Sequence, residues 1–315
     1  MDVPLSLSQP SGSIESRSKH RSIADYTVLK EIGEGSFSIV YHAKEKDEKK
    51  RDVAIKVCLK KQIIRDKRVK YVHREKEVLA QLSIKENLHH SIVTLYATFQ
   101  DAENLYFALT YAKHGDLLHI MLKQENKCFT VEHSKYYAAV LLDALNHLHT
   151  HGVLHRDVKP ENILVKENGK IILSDFGSAA FLNENEETSC SSSSSSTPRR
   201  CSFVGTAQYV APEMLKGEEM TPSSDLWSFG VVLYQFITGD HAFHDESEYL
   251  IFKRVTDVLF KFPDDFDVDA KHLISNLLVL DPLARYTYAQ IVAHDFFNSI
   301  DFEHLLQLEP PQIFH

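Results

Sequence analysis

The stretch His155-Arg156-Asp157-Val158-Lys159-Pro160-Glu161-Asn162 decides the reading of this chain. After 12 intervening residues comes Asp175-Phe176-Gly177, and further on Ala211-Pro212-Glu213. Upstream lies Gly33-Glu34-Gly35-Ser36-Phe37-Ser38-Ile39-Val40. Its glycines let backbone N–H groups approach phosphate oxygens with no Cβ in the way. Ser38 stands where a third glycine would complete the pattern, and the loop runs into a strand-like segment rather than the helix that a dinucleotide site needs. Taken alone, this stretch suits either a hairpin folded over a nucleotide or an ordinary glycine-containing turn. Next, Val53-Ala54-Ile55-Lys56 places on a strand a lysine able to reach phosphates. Such a lysine needs a carboxylate to hold it, and Glu75, 19 residues on and in the middle of a predicted helix, is placed for that. A lysine without these neighbours would be a solvated surface group.

The rest of the chain sets bounds. Its 315 residues suit two domains, or one domain in two lobes, at ~150 residues per domain. Hydrophobic residues at 43% and charged residues at 25% are enough for a sizeable core, which excludes disorder of the whole chain. A net charge of −9 argues against nucleic acid as a partner, because phosphate neutralisation needs a basic surface. No apolar run reaches the ~18 residues of a membrane helix, and Met1–Arg21 has no apolar core of a signal peptide. Asp2 follows the initiator Met, so myristoylation is not indicated. Cys58, Cys128, Cys190 and Cys201 form no CxxC pair and read as reduced thiols, which predicts a cytoplasmic protein, or a nuclear one.

Short β-rich runs at 26–29, 40–43, 53–57, 92–99 and 104–111 predict a mostly antiparallel sheet with one helix at 68–82. Helical periodicity then takes over at 135–149, 224–238, 249–258 and 269–278. A β-rich part followed by an α-rich part is an α+β arrangement. The serine run Ser191–Ser196 reads as a mobile loop.

In order and spacing, these motifs resemble the signature set of the protein kinase family, over about residues 26–300. The resemblance implies a bilobal fold with a kinase domain at 26–298, its small β-rich lobe at 26–111 and its larger helical lobe at 115–298. Residues 1–25 would be a flexible tail and 299–315 a C-terminal extension. The implied activity is transfer of the ATP γ-phosphate, with Mg²⁺, to Ser/Thr hydroxyls of protein substrates. Asp157 would accept the substrate proton, Lys159 would neutralise the moving phosphoryl group, and Asn162 and Asp175 would hold Mg²⁺. Ile32, Gly33, Glu34, Gly35, Ser36, Phe37, Ser38, Val40, Ala54, Lys56, Glu75, Asp116 and Glu161 would surround ATP. The Thr110 carbonyl and the Ala112 N–H would read adenine, with Leu109 beside them. A lysine at 159 is the serine/threonine-type choice. Glu213 would pair with Arg285, and Asp225-Leu226-Trp227 would lie in a buried helix anchoring the catalytic loop.

Four further stretches, 34–38, 202–210, 223–227 and 248–252, are similar to the 3-phosphoinositide-dependent kinase family of the AGC group. That implies AGC-kinase activation loops as substrates and Ser202 as a phosphorylation site, with Arg156, Arg74 and Tyr71 near its phosphate. It also implies a docking groove for phosphorylated hydrophobic tails of AGC kinases, built from Lys60, Ile63, Ile64, Val72, Lys76, Gln100 and Leu105. Eight basic groups against two acids in residues 60–76 fit such a rim, although a solvated face over ordinary core has the same composition. Ala180 departs from the family, which carries a basic residue there. The chain ends at His315, so no direct phosphoinositide binding is expected. His147, His149, His151 and His155 alternate around a helix end rather than converging on a metal. A catalytically weak scaffold that binds kinase tails is the alternative reading, and a dinucleotide enzyme a more distant one.

Overall fold

The computed structural model describes residues 21–35, 37–182 and 207–312. They form two units, residues 21–35 and 37–70 with 94–111, and residues 71–93 with 112–182 and 207–312.

The first unit is a five-stranded antiparallel sheet in the order β1-β2-β3-β5-β4. Its strands are β1 (Tyr26–Glu34), β2 (Ser38–Glu45), β3 (Asp52–Leu59), β4 (Leu95–Gln100) and β5 (Asn104–Thr110). Strand alternation gives the sheet two distinct faces. Tyr26, Ala43, Val53, Ile55, Phe99, Tyr106 and Ala108 pack as one core cluster. Phe99 lies between Tyr26 and Tyr106, at ring separations of 5.5 and 4.9 Å. The alternate residues of β3, Ala54 and Lys56, face the other way and pair with His42 and Val40 of β2. The turn before β5 is an Asx turn: Asp101 accepts the N–H groups of Glu103 and Asn104 at 2.8 and 2.7 Å. The Tyr106 hydroxyl also donates to Asp101 at 2.6 Å and holds its carboxyl down at about 2. A short helix, α1 (Lys60–Arg65), follows β3 and is tied to that turn by Lys60 Nζ on the Asp101 carbonyl, 2.5 Å.

Residues 21–25, expected as part of a flexible tail, are instead folded onto the sheet. Ser22 and Asp25 close a capping box around a turn of 3₁₀ helix. Arg21 donates to Glu45 at 2.9 Å, and Lys46 Nζ donates to the Ala24 carbonyl at 2.9 Å. Residues 1–20 lie outside the described residues.

The second unit is mainly helical: α2 (Val69–Leu82), α3 (Leu117–Leu122), α4 (Val131–Thr150), α5 (Pro212–Lys216), α6 (Pro222–Thr238), α7 (Glu248–Thr256), α8 (Val268–Leu277) and α9 (Tyr288–Val292). Two small antiparallel pairs accompany them. One joins β6 (Val153–Leu154) to β9 (Ala180–Phe181), the other β7 (Ile163–Val165) to β8 (Ile171–Leu173). Helix α6 is buried on all sides, as its apolar sequence requires. A Thr221/Ser224 capping box with Pro222 at the first turn starts it. Gly239, at φ +78°, ends it where any Cβ would come within 2.8 Å of the Lys127 carbonyl oxygen.

Residues 71–93 group with the helices, not with the sheet as the expected boundary at 111 implied. The reason is a set of bonds to α4 and β8. Gln81 donates to the His151 carbonyl at 2.9 Å, the Val93 N–H donates to the Leu173 carbonyl at 3.0 Å, and the Leu173 N–H donates to the Ser91 carbonyl at 2.8 Å. No helix among the described residues is long and apolar enough to cross a membrane. The C-terminal extension turns back over the β7–β8 loop, where Lys170 Nζ donates to the Leu306 carbonyl at 2.6 Å and Leu305 is buried.

Candidate active site

The segment 155–162 joins β6 to β7 and carries no regular helix or strand before its 3₁₀ turn at Pro160–Asn162. An irregular loop needs outside partners for its backbone N–H groups. Here the fully buried Asp225 of α6 supplies them. Its Oδ2 accepts the His155 N–H and its Oδ1 the Arg156 N–H, both at 2.9 Å. His149 Nε2 lies 2.8 Å from the same carboxylate. Burial pushes the Asp225 carboxyl up, but the bond and charge of His149, the charge of His155 and the Arg156 N–H outweigh it, so the group titrates below its usual value. The carboxylate is therefore ionised at neutral pH and grips the loop. Asp225→Asn, which keeps only one acceptor oxygen, is expected to destabilise the fold by about 1.5–3 kcal/mol. Denaturant unfolding at pH 7 reads this directly, and an unchanged midpoint would contradict it.

With its backbone fixed, the loop brings three predicted side chains together. Lys159 Nζ donates to both oxygens of Asp157, at 3.0 and 2.8 Å. Asn162 Nδ2 donates to the Asp157 carbonyl at 2.8 Å and to its carboxylate at 2.9 Å. Asp157 thus has a fixed orientation and a cation on it, as a proton acceptor in phosphoryl transfer requires. Asn162 commits its amide nitrogen to Asp157, which leaves its carbonyl oxygen as the end suited to a cation. Asp175 is an exposed carboxylate at φ +58°, with Oδ1 accepting the Gly177 N–H at 3.2 Å. Two hard oxygen donors fit Mg²⁺. Phe176 is fully buried, its ring 5.1 Å from that of His155, whose Nε2 lies 3.0 Å from the Ser174 carbonyl.

Other predicted residues of this unit are also placed. Burial raises the Glu161 carboxyl above its usual range, against the opposing pull of its own backbone N–H and of Lys159. Asp116 caps α3 by accepting the His119 N–H at 2.7 Å. Glu75 is buried on α2. Glu213 and Arg285 meet as expected, in a bidentate pair at 2.7 Å for both bonds.

On the sheet unit, Val40 stands opposite Lys56, and Ala54 stands between His42 and Leu109. Val40, Ala54, Lys56 and Leu109 thus share the face away from the aromatic core cluster. Ile32, Gly33 and Glu34 close β1, and Gly35 donates to the Ser38 carbonyl at 2.7 Å to tighten the turn; Phe37 is half-buried, and Ser36 lies outside the described residues. Thr110 ends β5, its hydroxyl accepting the Thr94 N–H at 3.0 Å, and Ala112 begins the loop towards α3.

The docking surface needs correction. Ile63, Val72 and Leu105 have 0–1% exposure, because strand alternation and helix periodicity turn them into the core. They offer a ligand no surface. Ile64 is 55% exposed, Gln100 is exposed at the end of β4, and Lys60 and Lys76 are half-buried. Burial lowers the Lys76 amine.

Ser202 lies outside the described residues. Of its expected partners, Arg74 rests on the Phe181 ring, 5.1 Å from its centroid. Ala180 is buried in β9 opposite Leu154. The clustered histidines each have a separate partner. His147 Nε2 is 2.8 Å from the Asn87 carbonyl, and His151 Nδ1 is 2.8 Å from the His147 carbonyl. Sequence reasoning missed the bonds from Asn162 to Asp157 and the stacking of His42 on Tyr111, and no motif signals either.

With this geometry in place, comparison with known sequences is decisive. The family model described as the protein kinase domain matches residues 26–297. The chain belongs to the protein kinase family. Within it, this kinase domain is 41% identical to the serine/threonine-protein kinase ksg1 of Schizosaccharomyces pombe, over 93% of the chain and 49% of that protein. It is 41% identical to human 3-phosphoinositide-dependent protein kinase 1, over 92% of the chain and 50% of that protein. For the human putative 3-phosphoinositide-dependent protein kinase 2 the identity is again 41%, over 92% of the chain and 70% of that protein. The kinase domain is thus similar to those of the 3-phosphoinositide-dependent protein kinases, within the AGC group. The chain spans about half the length of the first two relatives.

Proposed function

We propose that this chain is a serine/threonine protein kinase that uses ATP and Mg²⁺ to phosphorylate the activation loops of AGC-type kinases. The observation that carries the reading is the catalytic loop itself: Asp157 oriented by Asn162, charge-balanced by Lys159 and set on a backbone clamped by Asp225. Mg²⁺, held by Asp175 and Asn162, would supply charge neutralisation on the phosphates. Asp157 takes the proton of the attacking hydroxyl as the O–P bond forms and the bond to the leaving ADP oxygen breaks. Lys159 moves its positive charge from Asp157 towards the transferring group, where negative charge is spread. Lys56, carried on the same face as Val40 and Ala54, steadies the nucleotide phosphates.

The substrate class rests on the likeness to the 3-phosphoinositide-dependent kinases. The basic run at 60–76 and the exposed Ile64 favour docking of a phosphorylated hydrophobic tail, although Ile63, Val72 and Leu105 give it no contact surface. The test is labelled-phosphate transfer from Mg-ATP to an AGC-kinase catalytic domain bearing its activation loop and tail. Incorporation at the loop threonine, weakened by deletion of the tail, is the expected result. Transfer to generic substrates alone would remove the substrate class, and no transfer to any substrate would remove the activity.

A further inference from the structure

We propose that His42, braced by Asp52 and stacked on Tyr111, is a positioning residue for nucleotide binding. This rests on the reading of Thr110 and Ala112 as the adenine-reading backbone. The ring of His42 lies 3.9 Å from that of Tyr111, centroid to centroid, and only 4° from parallel. Its Nε2 is 2.6 Å from Asp52 Oδ1, and Lys44 Nζ is 3.8 Å from the other oxygen of Asp52. The histidine side chain is 14% exposed, so the contact is largely shielded from water.

Register explains how three separate strands deliver these groups to one place. His42 stands opposite Ala54, and Ala54 opposite Leu109. Asp52 is two residues before Ala54, and Tyr111 two residues after Leu109. With a period of two, all of them fall on one face of the sheet. Val40 and Lys56 share that face, opposite one another. The same face is assigned to the nucleotide, and the core cluster around Phe99 occupies the other.

The position of Tyr111 gives the stack its consequence. The β3–β5 ladder ends at the pair Val53–Thr110, so Tyr111 is the first residue beyond it. Tyr111 also separates Thr110 from Ala112, the two residues whose backbone groups are to meet adenine. Past its ladder a backbone segment takes its orientation partly from what its side chains pack on, and a ring clamped face to face is such a contact. The Asp52 carboxylate in turn fixes the plane of the imidazole. His42 thereby pre-organises the adenine-reading backbone without touching the nucleotide's phosphates.

Steady-state transfer kinetics test this, with ATP varied at fixed peptide and peptide varied at saturating ATP. Removing the stacking partner with His42→Leu is expected to raise KM for ATP about three- to tenfold, the value of one aromatic pair. The kcat at saturating ATP and the KM for peptide should stay as in wild type. His42→Phe, which keeps a flat ring without the bond to Asp52, should recover most of the loss. In a Tyr111→Leu background, His42→Leu should have no further effect. An unchanged KM for ATP in His42→Leu would overturn the proposal. So would a parallel loss of kcat, both KM values and thermal midpoint that Phe does not rescue, because that is the signature of general packing. Displacement of a fluorescent nucleotide from the wild-type protein separates the two levels. Wild type that binds no nucleotide removes the adenine reading itself, whereas binding that is intact in wild type and insensitive to His42 removes only the positioning role of His42.

Discussion

Asp157→Asn is expected to lower kcat by about two to four orders of magnitude while the protein stays folded. The substitution keeps the shape of the side chain, and Asp157 sits in a loop whose backbone is held by Asp225 rather than by its own carboxylate. What it removes is the proton acceptor, the negative charge opposite Lys159, and one of the two bonds that Lys159 makes at 3.0 and 2.8 Å. With no charge on residue 157, Lys159 is held more weakly where the phosphoryl group passes, so positioning and proton transfer suffer together. Binding of Mg-ATP should be close to wild type, because the nucleotide contacts assigned to Lys56, Val40 and Ala54 are untouched. Single-turnover transfer and calorimetric nucleotide titration on the same preparation give the two readings. A kcat within tenfold of wild type would exclude Asp157 as the base.

Breaking the Glu213–Arg285 pair is expected to have the largest effect on stability. Both side chains are almost wholly buried, at 2% and 0% exposure. Arg285 makes two bonds of 2.7 Å to Glu213, donates to the Val279 and Ser223 carbonyls at 2.8 and 3.0 Å, and lies over Trp227. Ser224 Oγ donates to Glu213 at 2.7 Å. Glu213→Ala or Arg285→Ala would strand the other charge out of water, at a cost of about 3–5 kcal/mol. Replacing both by apolar residues of similar volume should cost less than either single change, since no unpaired charge remains. The pair also sets a pH dependence. Burial alone would push the Glu213 carboxyl up, but the bonds from Arg285 and Ser224 and the charge of Arg285 bring it below its ordinary value of 4.5. A carboxyl depressed in the folded state contributes stability that is fully present above its unfolded value. That stability is lost as pH falls below 4.5 and through the folded value. Urea unfolding of wild type and Glu213→Ala between pH 7 and pH 3 should show the two curves converging as the pH falls. A constant gap would contradict the assignment.

The order of these elements was legible in the sequence wherever apolar periodicity is strong. The segment 135–149 gave α4, and the all-round apolar run at 224–238 gave most of α6. The meeting of Asp157, Lys159 and Asn162 was legible because all three lie in one loop. The missed pieces share a cause. Helix α1 is six residues of which three are Lys or Arg, starts without a side-chain cap, and is held by the Asp101 turn some forty positions away. Strand β1 runs on to Glu34 through two register shifts, past the end of its alternating pattern. The family resemblance put Ile63, Val72 and Leu105 in a groove, but burial depends on which face α1, α2 and β5 each turn inward, and matching residue types does not mark that. His42 and Tyr111 lie far apart in the chain, and their meeting depends on register across three strands, which no local pattern encodes.

Arg156 carries one more consequence, for anyone evolving this protein in the laboratory. It sits in the left-handed region, at φ +68°, with its N–H on Asp225 at 2.9 Å. A residue with a Cβ gives up about 1–2 kcal/mol there relative to ordinary backbone, and glycine does not. A library screened for heat resistance alone would therefore feel a backbone pull towards glycine at this position, set against what the guanidinium itself contributes. The resemblance assigns that guanidinium to a phosphate on Ser202. On that reading heat and activity pull residue 156 in opposite directions, and a screen has to apply both at once to keep the arginine.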